Sequence, residues 1–73
     1  MDQPLELTFL GTTSQGGHCP TMFATNRNTY VVQGKIVTDP SALTTVNGTY
    51  AGLGPDETLV EIPADLLRYA PGA

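Results

Sequence analysis

Turn-forming residues interrupt this chain so often that only short elements fit between them. Gly11 to Pro20, Asn26-Arg27-Asn28, Gly34, Asp39-Pro40, Asn47-Gly48, the Gly52 to Pro55 stretch and Pro63 each break whatever precedes them. What remains reads mainly as strand. Leu5 to Leu10 alternates, with Leu5, Leu7 and Phe9 on one face and Glu6 and Thr8 on the other, the period of a half-buried strand. Thr21 to Thr25 and Thr29 to Gln33 are β-prone runs flanking Asn26-Arg27-Asn28, residues that tolerate turn conformations and bond their own backbone, so the pattern predicts a hairpin. Gly34 marks a second tight turn or a bulge before Lys35-Ile36-Val37, and either way the chain stays in a sheet.

Asp39 before Pro40 suits a short helical turn, in which the aspartate accepts from orphan amides and the proline takes the first helical position. Thr44 to Asp56 is the least regular region, with Asn47-Gly48 a tight-turn signal, and a mobile excursion is expected there. Glu57 to Ile62 alternates again, placing Thr58, Val60 and Ile62 inward and Glu57, Leu59 and Glu61 outward. Pro63 then opens a helix over Ala64 to Ala70, carrying Leu66, Leu67 and Tyr69 with Asp65 and Arg68 at i, i+3 spacing, which Pro71-Gly72 stops. The sum is a single domain over residues 1–73, mainly β: a small antiparallel sheet of four or five strands with a short C-terminal helix. A chain of 73 residues buries only about 60% of its unfolded surface, so its core is small. Small core and open sheet edges together predict self-association, as a homodimer.

Three basic residues, Arg27, Lys35 and Arg68, stand against seven acidic ones, for a net charge of −4. Phosphate repels such a chain, so no direct nucleic-acid binding is expected. No stretch approaches the roughly 20 apolar residues that span a bilayer. One cysteine, and an N-terminus Met-Asp-Gln-Pro without a basic start or apolar run, point to a reducing cytoplasm.

The stretch Ser14-Gln15-Gly16-Gly17-His18-Cys19-Pro20 sets the only histidine beside the only cysteine. A catalytic cysteine needs a base within hydrogen-bond reach. Extended neighbours point to opposite faces, and Pro20 biases Cys19 toward extended backbone, so the pair is badly placed as a dyad. A zinc site wants about four ligands, and a P-loop needs a following Lys and Ser or Thr; neither pattern is present. The stretch therefore reads as a glycine turn delivering Cys19 into the core, and the chain as a non-enzyme without cofactor or metal. The rival readings are a small hydrolase or toxin using Cys19 and His18, and a purely structural subunit.

The order "SQGGHC", Ala24, "VVQGKIVTDP" and "TLVEIPADLLRYA" resembles an actinobacterial family of very small BldB-related proteins, encoded beside WhiJ-like helix-turn-helix regulators. The likeness covers Gly11 to Ala70. The family carries a tryptophan near its start and another in its closing helix, where this chain has Phe9 and Tyr69, and Val46 to Gly54 stands as an insertion. The resemblance implies a non-enzymatic accessory protein that binds a helix-turn-helix transcriptional regulator in a developmental or stress pathway, or one half of a toxin-antitoxin pair. The residue pattern offers a partner-binding strip: Glu57, Leu59, Glu61 and Arg68, a leucine framed by acids that suits a basic partner.

If Cys19 is core and no nucleophile, Cys19→Ser lowers stability by about 1 to 3 kcal/mol. Native Cys19 then labels slowly with thiol reagents, and rapid labelling with a depressed thiol pKa would point to the enzyme reading instead.

Overall fold

The computed structural model describes residues 3–13 and 20–72. The expectations for His18 and Cys19 lie outside the described residues. Among those described, five strands form two antiparallel sheets, joined by short helices, so the chain is small and mostly β. β1 (Leu7–Thr12), β2 (Thr21–Thr25) and β3 (Tyr30–Gln33) make one sheet in that order. β4 (Lys35–Ile36) and β5 (Val60–Glu61) pair as a separate ribbon. An α-helix, α1 (Pro40–Asn47), and a closing 3-10 helix (Ala64–Tyr69) complete the chain.

The β2–β3 hairpin forms as its residues dictate. The backbone N–H of Thr25 donates to the carbonyl of Thr29, and the Thr25 hydroxyl accepts from the amides of Arg27 and Thr29. Asn28 takes the left-handed conformation at φ 61°, which asparagine tolerates better than most side chains. Asn26 also reaches across to the start of β1, accepting from the Glu6 amide at 3.2 Å and donating to the Pro4 carbonyl at 3.1 Å. The hairpin tip therefore anchors the N-terminal strand.

β1 begins and ends two residues later than the alternation suggested, leaving out Leu5 and Glu6 and taking in Gly11 and Thr12. The register slips between Phe9 and Gly11, a bulge that lets Leu10 and Gly11 both oppose Met22. The ring of Tyr69 occupies the space that a Cβ at residue 11 would need. Glycine is required here by close approach, and the ring covers the gap it leaves in the edge strand. Leu66, fully buried, and Met22, 3% exposed, form the core at this contact between the closing helix and β1–β2. The helix is 3-10 and not α, with Pro63 as its cap. At three residues per turn Leu66 and Tyr69 share one line and Leu67 is left exposed.

Asp39 caps α1, accepting from the amides of Ser41 at 2.8 Å and Ala42 at 3.3 Å. The helix extends to Asn47, beyond the short turn expected. Asn47-Gly48 is its terminus and no hairpin turn: the Gly48 amide donates to the Thr44 carbonyl, and the Asn47 side chain accepts from the Leu53 amide as the chain folds back. α1 buries none of its residues fully and makes little contact with the other elements.

Two face assignments are corrected. Leu7 and Phe9 do share a face of β1, but that face is open, at 46% and 61% exposure, because the closing helix covers the opposite one; Leu5 precedes the strand and is 43% exposed. In the last strand Val60 is exposed and Leu59 half-buried, the reverse of the alternation predicted. Apolar residues stand at 59, 60 and 62, so the period alone does not choose a face; pairing with β4, extended by the bond from the Val37 amide to the Leu59 carbonyl, does.

Gly11→Ala drives a methyl into the Tyr69 ring and lowers stability by about 1 to 3 kcal/mol, read from the urea midpoint. Combined with Tyr69→Ala, the loss falls short of the sum of the two single losses, because both remove the same contact.

Candidate interaction surface

The sheet and the ribbon meet at a corner. Gly34, between β3 and β4, has room for no side chain: the carbonyl of Glu61 and the side chain of Ile62 lie where a Cβ would go. This close approach opens a cleft of about 480 Å³ between Gln33, Gly34 and Lys35 on one side and Glu61, Ile62 and Pro63 on the other, with Pro20 also on its wall. The cleft passed unnoticed in the sequence, where Gly34 signalled a break but not a second strand pressed against it.

Lys35 stands opposite Glu61 in the ribbon, and Ile36 opposite Val60. Alternation therefore sorts the ribbon into two faces. One carries Lys35, Glu61 and the half-buried Val37 and Leu59. The other carries Ile36, 68% exposed, and Val60.

The four residues of the expected strip are placed as follows. Glu61 lies in β5 and lines the cleft. Glu57 is exposed and closes the loop that leads into β5, where its Oε1 accepts from the Gly54 amide at 2.6 Å while its own amide donates to the Gly54 carbonyl. Leu59 is half-buried beside them. Arg68 is apart, on the closing helix packed against β1 and β2, with its guanidinium 5.6 Å from the Tyr69 ring centroid. The structure thus joins Glu57, Leu59 and Glu61 along one segment and sets Arg68 on another element. The apolar surface left over on the ribbon is Ile36 with Val60, which the alternation had turned inward.

Among the described residues no three His, Cys, Asp or Glu gather closely enough to hold a metal ion. No described helix is long and apolar enough to cross a membrane. The described lining of the cleft offers one ammonium, one carboxylate and an amide with apolar walls, a set that can orient a peptide-like or charged surface by hydrogen bonds.

Because Glu57 closes its own loop, Glu57→Ala costs about 1 kcal/mol of stability, whereas Glu57→Gln, which keeps an acceptor oxygen, costs less. Thermal melts of the two variants check this.

Comparison with protein-family models, with curated proteins and with solved structures returns no match.

Proposed function

We propose that this protein is a non-enzymatic accessory protein that binds a helix-turn-helix transcriptional regulator and modulates it in a developmental or stress pathway. The observation that carries the reading is the β4–β5 ribbon, which sets an exposed apolar pair, Ile36 and Val60, on one face and Glu61 on the other, with Glu57 in the loop that leads into it. Leu59 backs this segment, and Arg68 on the closing helix is the remaining residue of the contact. Together with a net charge of −4, the acids favour a basic partner and speed its approach. The same charge disfavours DNA, so an effect on transcription passes through the regulator.

Charge reversal is a poor test here, since Glu61→Lys sets two lysine side chains opposite each other in the ribbon. Neutral replacement avoids this. Co-purification with the tagged protein from its native host should identify a helix-turn-helix regulator. Glu57→Gln with Glu61→Gln then slows its association several-fold at low salt and flattens the salt dependence. Ile36→Ala and Leu59→Ala raise the dissociation rate by removing apolar contact. Unchanged kinetics in all of these variants would make the ribbon an ordinary solvated surface. Salt-sensitive DNA binding by the pure protein would overturn the accessory role.

A further inference from the structure

We infer that the open face of the β1–β2–β3 sheet is a homodimer interface, on which a second copy of this chain packs sheet to sheet. Strand register puts Leu7, Phe9, Phe23 and Val31 on this face. Phe9 and Phe23 form an edge-to-face pair at its centre, with ring centroids 6.3 Å apart at 74°. Leu7 and Phe9 are 46% and 61% exposed, while Phe23 and Val31 are half-buried. The closing helix serves only the other side, at Gly11 and Met22.

The chain as a whole has surface to spare for such a contact. The chain exposes 5929 Å², against about 4,300 Å² for a compact monomer of 7.7 kDa, an excess of about 1,600 Å². Its radius of gyration is 14.2 Å where about 11 Å is usual for 73 residues. A standard interface buries about 800 Å² per partner, so one such contact fits within the excess.

Charge identifies the occupant as a second copy. The remaining positions that register assigns to this face, Thr25, Gln33, Thr12 and the buried Thr21, are uncharged. Two chains of net charge −4 can therefore meet here without opposing any carboxylates. A basic partner would find no acid to pair with. A two-fold axis through the Phe9–Phe23 pair makes the patch self-complementary, with the sheets stacked about 10 Å apart. This inference stands on the sheet alone and does not depend on the regulator reading.

Sedimentation equilibrium of the full chain should give twice 7.7 kDa at micromolar concentration. Phe9→Glu buries an unpaired carboxylate at the centre and should raise the dimer dissociation constant at least ~100-fold, whereas Ile36→Glu on the ribbon leaves it unchanged. Should Phe9→Glu fail to fold, isotope-filtered NMR on a mixed-label sample of the unaltered protein decides: intermolecular contacts from Leu7 and Val31 methyls to the Phe9 and Phe23 rings are expected. A monomeric mass at millimolar concentration would overturn the inference, as would a dimer whose intermolecular contacts fall on the ribbon or along a strand edge.

Discussion

The ring of Tyr69 lying on Gly11 is the contact from which the rest of this fold follows. Without a side chain at residue 11, and with the bulge that turns it toward Met22, β1 offers a seat for the closing helix. Seating the ring carries Leu66 into full burial, worth about 1.5 to 3 kcal/mol of transfer free energy. Leu66 and Met22 are the buried apolar residues of the described chain, so the helix is less an appendage than the second layer of the domain.

A helix this short covers only one side. Six 3-10 residues present one line of side chains, Leu66 and Tyr69, and the sheet has two faces. The opposite face keeps its leucines and phenylalanines in water, a state that favours association for a chain of such marginal size. The two outer surfaces differ in chemistry: the sheet face is uncharged and aromatic, and the ribbon mixes acids with a small apolar pair.

The cleft at the sheet–ribbon corner has the same origin as the core. In both places a glycine lets a distant segment touch backbone: Tyr69 on Gly11, and Glu61 with Ile62 on Gly34. These two contacts bring the C-terminal third of the chain onto β1 and the β3–β4 corner. The acids of the ribbon owe their placement to the second of them.

Local chemistry was readable in the sequence. The hairpin around Asn26-Arg27-Asn28, the Asp39 cap with Pro40 behind it, the alternation of β1 and the mainly β class all depend on neighbours within a few residues, and each formed as its residues require. The exposure of Leu5, Leu7 and Phe9 could not be read there, because alternation states that two faces differ and not which one a helix more than fifty residues away will cover. The inversion at Leu59 and Val60, the 3-10 winding of the closing helix and the cleft beside Gly34 were hidden for the same reason. Sequence by itself determined the elements, through turn residues, caps and period; tertiary structure decided which face of each is buried, since burial is a property of pairs of segments and no single segment carries it.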